Sequence, residues 1–445
     1  MLKNIAVIGT GYVGLVSGVC FSEAGNHVIC CDIDQGKING LKRGIIPIFE
    51  PGLNQLVNKN VAGDRLSFTS DIPEAIQKAE IIIIAVGTPM SRTGEADLTY
   101  IKQVAKTIGK HLNGYKIVVN KSTVPVGTGK MVKNLISEIS RDRYAFDVVS
   151  NPEFLREGVA VKDTMQMERA VIGASSAKAM EVMVQLHQPF TTKVVKTTIE
   201  SAEMIKYAAN AFLATKISFM NDIANICERA EADVTKVSEG IGLDSRIGQK
   251  FLQAGVGFGG SCFPKDTAAL LHIAESFGYD FKLIKAVMET NIGQRIQIIK
   301  KVESILGSLE GKSISILGLA FKPNTNDMRY APALDIIPQL NHLGANVKTF
   351  DPIAIPEAKK QLGYICSYSD DLYETIQGTD ACVILTGWKE IKNLDLEKTK
   401  RLMNQPLVVD GRNLFDLTTM QNLGFTYVSV GRPVVYGETT FSNII

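Results

Sequence analysis

Residues 255–266 read G-V-G-F-G-G-S-C-F-P-K-D, and their types and order suit nucleophilic chemistry. Four glycines leave the backbone open to close approach, and the thiol of Cys262 follows them directly. Pro264 suits the first turn of a helix. Lys265 and Asp266 then stand where free N–H groups and a positive dipole end favour a thiolate and other anions. The arrangement expected is a cysteine nucleophile on a loop entering a helix. A lone cysteine is also a common small core residue, so the rest of the chain has to supply a cofactor and acid/base partners.

The chain can build the elements needed to position such a group. Its 445 residues, 45% hydrophobic, are enough for two to four domains with large cores. Lysine plus arginine (48) nearly cancels aspartate plus glutamate (46), which argues against nucleic acid or a membrane surface as a partner. Seven cysteines without metal-ligand spacing suggest neither a metal site nor a disulfide framework, and fit reduced thiols in a cytoplasm. No export signal is visible in the first residues. The most apolar run, 81–86, is far shorter than the ~18 residues of a membrane helix and reads as a buried parallel strand.

Residues 5–8 form a short apolar run, followed by G-T-G-Y-V-G at 9–14 and a helical pattern through Ala24. A second strand at 28–31 ends on Asp32. Gly9 makes the tight turn, Gly11 lets a pyrophosphate approach, and Gly14 lets helix pack on strand. Asp32, about 20 residues on, suits ribose hydroxyls and repels a 2′-phosphate, which favours NAD over NADP. Lys37 stands near the same ribose or is a solvated helix charge. Further strands at 79–88 and 116–123 end in Gly-Thr-Pro and Ser-Thr-Val-Pro, placing Thr88 and Thr123 at strand ends, where ligands of open α/β sheets bind. Another at 146–150 leads to N-P-E-F-L-R-E-G. On a helical turn Glu153 and Glu157 would share a side, as acids on a solvated face also do.

Residues 200–230 lack proline and glycine and read as one long helix, with Lys206 and Asn210 four apart on an apolar face. Arg246 and Lys250 precede the glycine loop, and a further long helix ends near Leu306. The middle of the chain resembles a helical spine. The last third repeats the opening: strands at 313–320, 346–350, 379–386 and 406–413, with Asp351 in the place of Asp32. Of the glycine fingerprint only Gly318 survives. Lys322, Arg329 and Arg412 stand at strand ends instead, which suits a diphosphate-bearing substrate better than a second dinucleotide. The fold expected is α/β: two Rossmann-like doubly wound parallel-sheet domains, 1–199 and 307–445, joined by a central helical segment, 200–306.

Taken together, G-T-G-Y-V-G-L-V, S-T-V-P-V-G-T, N-P-E-F-L-R-E-G, E-M-I-K-Y-A-A-N-A-F, G-F-G-G-S-C-F-P-K-D, F-K-P-N-T-N-D and D-G-R-N resemble, in order and over essentially the whole chain, the UDP-glucose/GDP-mannose dehydrogenase family. The resemblance implies an N-terminal NAD-binding domain, a C-terminal UDP-binding domain and a homodimer through the central helix. It implies a four-electron, NAD-dependent oxidation of the C6 alcohol of UDP-glucose to UDP-glucuronate. A UDP-N-acetylhexosamine (GlcNAc or ManNAc) is the alternative substrate.

By the same resemblance Cys262 is the nucleophile, and Lys206, Asn210, Asp266, Thr123, Glu153 and Glu157 complete the catalytic set. NAD contacts are expected at the fingerprint (Gly9, Gly11, Tyr12, Val13, Gly14) and at Asp32, Lys37, Thr88, Thr123, Glu157, Lys265 and Arg329. Substrate contacts are expected from Glu153, Phe154, Leu155, Arg156 and Glu157, and from Lys206 and Asn210. Others come from Phe251, Leu252, Gln253, Ala254, Gly255, Gly259, Lys322 and Arg412, and from Arg246 acting from a second subunit. A water held by Asp266, Thr123 and Lys206 would take the alcohol proton. Cys262 would capture the aldehyde as a thiohemiacetal, and Glu153 or Glu157 would assist hydrolysis of the thioester that follows.

Overall fold

The computed structural model describes residues 2–91 and 94–437. Two parallel-type sheets carry the fold. The first comprises β1 (Asn4–Ile8), β2 (His27–Cys31), β3 (Leu66–Thr69), β4 (Ile81–Ile84), β5 (Lys116–Asn120), β6 (Phe146–Ser150), β7 (Ala170–Ala174) and β8 (Val194–Thr197), in the order β3-β2-β1-β4-β5-β6-β7-β8. Its pairs are parallel except β6 with β7. The second comprises β9 (Ser313–Leu317), β10 (Asn346–Phe350), β11 (Ser367–Tyr368), β12 (Ala381–Ile384), β13 (Leu407–Asp410) and β14 (Thr426–Ser429), in the order β11-β10-β9-β12-β13-β14. Both sheets reverse direction beside their first strand: Ile5 pairs with Val28 and Ile81, and Ile314 with Val347 and Ala381. In a doubly wound sheet that reversal is where a ligand crevice opens.

The isoleucine run of β4 shows why these strands read as continuous apolar stretches. Ile81 and Ile83 pack on one face with Leu15 and Val19 of helix Tyr12–Glu23. Ile82 and Ile84 pack on the other with Ile101 and Ile108 of helix Thr99–His111 and with Val132 and Ile136 of helix Thr128–Ser140. Burial on both faces removes any reason for polar alternation.

Strands β4, β5, β6, β9, β10, β12 and β13 lie within the stretches expected from hydrophobic pattern, β6 and β10 matching at both ends, while β1 and β2 each begin one residue earlier than expected. The stretches 79–88 and 116–123 overreach. Strand β4 stops at Ile84 and β5 at Asn120, and the chain then leaves the ladder to form the sheet's carboxyl-end loops. The long helix runs Ile199–Arg229, and a second long one runs Lys282–Leu306.

The chain divides into two compact units: residues up to Ala209 with Ala268–Tyr279, and Asn210–Thr267 with the chain from Asp280 on. The first holds β1 to β8 and the second β9 to β14 around its own core. Among the described residues no helix is long and apolar enough to cross a membrane.

Candidate active site

In the first unit the turn after β1 is shaped by glycine. Gly9 takes φ +105, and a Cβ on it would lie 2.5 Å from the Ala85 carbonyl oxygen. A Cβ on Gly14 would collide with the Gly9 carbonyl oxygen, whereas at Gly11 nothing lies within 4 Å. Turn and helix packing therefore consume two glycines, while the third keeps backbone open to solvent, as a pyrophosphate at a helix N-terminus requires. Val13 is half-buried on the first helical turn. Tyr12 turns its hydroxyl to Glu50 and receives the Gly158 N–H at 2.7 Å, so it ties the fingerprint to the chain after Glu157.

Asp32 accepts from Thr10 N at 2.9 Å, Thr10 Oγ1 at 2.7 Å and Asp34 N at 3.0 Å. Burial pushes its carboxyl up. The hydrogen bonds from Thr10 and Asp34 and the charge of Lys37 outweigh that and hold it below the usual range, so it is an anion ready to accept from ribose. The residues present fit a dinucleotide without a 2′-phosphate.

Beyond β4 and β5, Thr88 Oγ1 donates to the Thr123 carbonyl at 2.9 Å, joining the two loops that carry these threonines. After β6, residues 151–156 are irregular, followed by a turn at 157–158, so Glu153 and Glu157 do not share a helical turn. Glu153 is buried and pairs with Lys206 Nζ at 3.2 Å, while Glu157 stays partly accessible. Lys206 also lies 5.4 Å from the centroid of the Phe154 ring, whose face Arg169 covers at 4.1 Å. Leu155 N donates back to the Glu153 carboxylate. Arg156 forks onto Asp163 at 2.6 and 2.9 Å. Sequence reading passed over a second buried lysine here. Lys121 donates to Asn151 Oδ1 at 3.1 Å, and burial pushes its ammonium down to about 8, with Glu153 opposing and Lys206 adding to the fall. The only signal was a lysine directly at the end of the strand run K-I-V-V-N-K.

In the second unit, Cys262 is half-buried immediately before helix Phe263–Ser276, as the motif predicts. Asp266 N donates to the Cys262 carbonyl at 2.8 Å, closing the first turn. The buried Asp266 carboxylate accepts from Asn210 Nδ2 at 2.6 Å and from Lys265 Nζ at 2.5 Å. Asn210 and Lys206 share a face of the long helix. The glycines beside the thiol have a reason other than the one expected. A Cβ would lie 2.9 Å from Gly411 O at Gly255, 2.7 Å from Asn291 Oδ1 at Gly257 and 2.6 Å from the Phe321 ring at Gly260, and would strike Tyr330 O at Gly259. On those sides protein fills the space, so glycine is required for the loop to pack on its surroundings.

That packing sets the thiol loop against the carboxyl ends of β9, β12 and β13. Arg412 follows β13; its Nε donates to Leu385 O at 2.7 Å and its Nη2 to Phe321 O at 3.3 Å, and burial pushes its guanidinium down to about 10. Lys322 lies 5.3 Å from the centroid of the Phe321 ring. Asp351, the counterpart of Asp32, is saturated: it accepts from Leu319 N, Ala320 N, Ile353 N and Ala354 N at 2.7 to 3.0 Å and from Trp388 Nε1 at 3.0 Å. No lone pair remains for ribose hydroxyls, so the second sheet is not a second dinucleotide site of the same design. Leu252 and Ala254 are buried, Gln253 is exposed, and Phe251 takes φ +65. Arg246 and Arg329 each fork onto a neighbouring aspartate, Asp244 and Asp327, at the surface.

Three consecutive segments match one family. Residues 3–191 match the NAD binding domain of the UDP-glucose/GDP-mannose dehydrogenase family, 200–292 its central domain and 315–417 its UDP binding domain. The chain belongs to the UDP-glucose/GDP-mannose dehydrogenase family. It is 66% identical over 436 residues to UDP-glucose 6-dehydrogenase TuaD of Bacillus subtilis, covering 98% of this chain and 95% of that one. To the UDP-glucose 6-dehydrogenase of Rhizobium meliloti it is 47% identical, covering 97% and 100%. The solved structure of a UDP-glucose dehydrogenase from Pyrobaculum islandicum superposes with TM-score 0.91 at 34% identity, covering 98% of both chains. As a member of the UDP-glucose/GDP-mannose dehydrogenase family, the chain carries its glycine fingerprint and Asp32 in the NAD binding segment, Cys262 in the central segment, and Lys322 and Arg412 in the UDP binding segment.

Proposed function

We propose that this chain oxidises the C6 alcohol of UDP-glucose to the carboxylate of UDP-glucuronate and that Cys262 holds the sugar between the two oxidations. NAD, when bound at the glycine fingerprint and Asp32, supplies the chemistry of accepting one hydride in each oxidation. Asp266 takes the alcohol proton through water. Lys206 and Asn210, four apart on one helix, donate to the alkoxide oxygen, a role in which one donor is commonly worth ~2.7 to 4 kcal/mol. The thiolate of Cys262 adds to the aldehyde carbon, forming a C–S bond while the carbonyl π pair moves to oxygen. Loss of the second hydride leaves a thioester. Water, deprotonated by Glu153 or Glu157, cleaves the C–S bond and returns the thiolate.

The observation that carries this reading is the half-buried Cys262 at the head of a helix whose first turn holds the Asn210–Asp266–Lys265 cluster. The identities of 66% and 47% to UDP-glucose 6-dehydrogenases support glucose as the sugar. Cys262→Ser protein supplied with UDP-glucose and NAD tests it. Native protein should make two NADH per sugar and release the acid, and the variant should release none. A variant that still forms glucuronate ends the proposal. Steady-state rates with UDP-GlcNAc and UDP-ManNAc measure the alternative.

The assembly we infer is a homodimer through the long helix. Phe212, Phe219 and Ile226 recur every seven residues along it and are 66, 54 and 59% exposed, an apolar stripe suited to a second copy. Sedimentation of the native chain and of Phe219→Asp compares dimer with monomer. Seven cysteines without a paired spacing support a reducing compartment such as the cytoplasm.

A further inference from the structure

We propose that Asn291 is a positioning residue for the catalytic cysteine loop, holding both the backbone N–H and the backbone C=O of Phe258 so that Cys262 is presented in one place. The inference rests on the role of Cys262 given above.

Residues 252–260 belong to no helix or strand, yet 254–260 are buried, so their backbone groups need partners other than a ladder or water, as Gly260 N finds in Arg329 O at 2.8 Å. Side chains take the ladder's place. Gly255 N donates to Asn221 Oδ1 at 2.8 Å, and Gln294 Nε2 donates to Gly255 O at 2.9 Å. Three residues on, Asn291 does both jobs alone: Phe258 N donates to its Oδ1 at 2.7 Å, and its Nδ2 donates to Phe258 O at 3.1 Å. Arg295 Nη2 adds a second donor to Phe258 O at 2.9 Å. Asn291, Gln294 and Arg295 lie within two turns of one face of helix Lys282–Leu306, so a rigid rod sets the loop.

Phe258 is the lever between that rod and the thiol. It lies one residue after Gly257 (φ +91) and two before Gly260 (φ +84), conformations that only outside restraint selects among glycine's many. Its ring packs edge-on against Phe263, centroids 5.8 Å apart, at the first residue of the helix after Cys262. One residue is therefore pinned to the rod through its peptide and to the thiol's own helix through its ring. Releasing these two bonds loosens the backbone at Phe258 and lets Cys262 drift, and a displacement of about 1 Å at a reacting group can cost ~10²-fold in rate.

The test compares native protein, Asn291→Ala and Asn291→Asp. The aspartate keeps volume and the acceptor for Phe258 N while losing the donor to Phe258 O. NADH formed per UDP-glucose, the rate of Cys262 carbamidomethylation by iodoacetamide, and the KM for UDP-glucose are read on protein whose melting temperature shows it folded. The expected result is a ratio falling below two, carbamidomethylation altered about tenfold or more, and KM within about threefold of native. A folded variant with native ratio and native thiol reactivity overturns the inference, as does loss of folding in both variants, which would make Asn291 a core residue only. Native protein yielding one NADH per sugar overturns the role of Cys262 itself, and this inference with it.

Discussion

The side-chain amide of Asn210 donates to Asp266 Oδ2 at 2.6 Å, and Lys265 holds the other oxygen at 2.5 Å. A carboxylate so fixed is oriented before any substrate arrives. Asp266→Asn keeps the shape but turns an acceptor into a donor facing the Asn210 donor. The expected outcome is a fall in kcat of ~10² to 10⁴, the range for losing a positioned base. Steady-state kinetics with saturating UDP-glucose and NAD measure it. More than a tenth of native kcat in the variant would remove Asp266 from the proton path.

Asp32 and Asp351 stand at equivalent strand ends and should respond oppositely to neutralisation. Asp32 is partly accessible and satisfies three donors, so Asp32→Ser should raise the KM for NAD at least about tenfold and admit NADP, with a smaller loss of stability than at Asp351. Asp351 satisfies five donors, four of them backbone N–H groups. Asp351→Asn strands some of these in a buried setting and should cost ~1 to 3 kcal/mol in urea unfolding without altering cofactor choice. Equal loss of stability in both variants would deny the difference between the two strand ends.

Gly259 carries no positive φ, yet a Cβ there would strike the backbone oxygen of Tyr330, which cannot swing aside as a side chain could. Gly259→Ala should destabilise by ~1 to 3 kcal/mol, the usual cost of overpacking. Urea midpoints decide it. Native stability in the variant would show that segment 321–330 yields easily and that the thiol loop is not tightly seated.

What the sequence disclosed follows physical range. Strands buried on both faces, such as β4 and β6, announce themselves through local composition. The Gly9 turn and the Cys262 helix entry are likewise local. The edge strand β8, V-V-K-T, is half-exposed and has no such signature. Glu153 and Lys206 are 53 residues apart, so their ion pair could not be read from spacing. No helical turn forms around Glu153, because residues 151–156, Pro152 among them, run as an irregular stretch out of the strand end. Asn291, Gln294 and Asn221 looked like ordinary helix polar residues, because the backbone groups they satisfy lie 33 to 39 residues away.

Lys121 and the pair Glu153–Lys206 lie close enough for their charges to be felt, and that sets a pH dependence. Burial lowers the Lys121 pKa from 10.5 to about 8, with Lys206 adding to the effect and Glu153 opposing it. Between those values the native chain binds fewer protons than the unfolded chain, so stability rises with pH from about 8 toward 10.5. Below about 8 both states are protonated and the whole burial cost, on the order of 3 kcal/mol, is present. Lys121→Met should therefore be the more stable protein at pH 7 and should lack that rise. Urea midpoints of both proteins at pH 7, 8, 9 and 10 give the comparison, and parallel curves would mean that the Lys121 ammonium is as well solvated in the native chain as in the unfolded one.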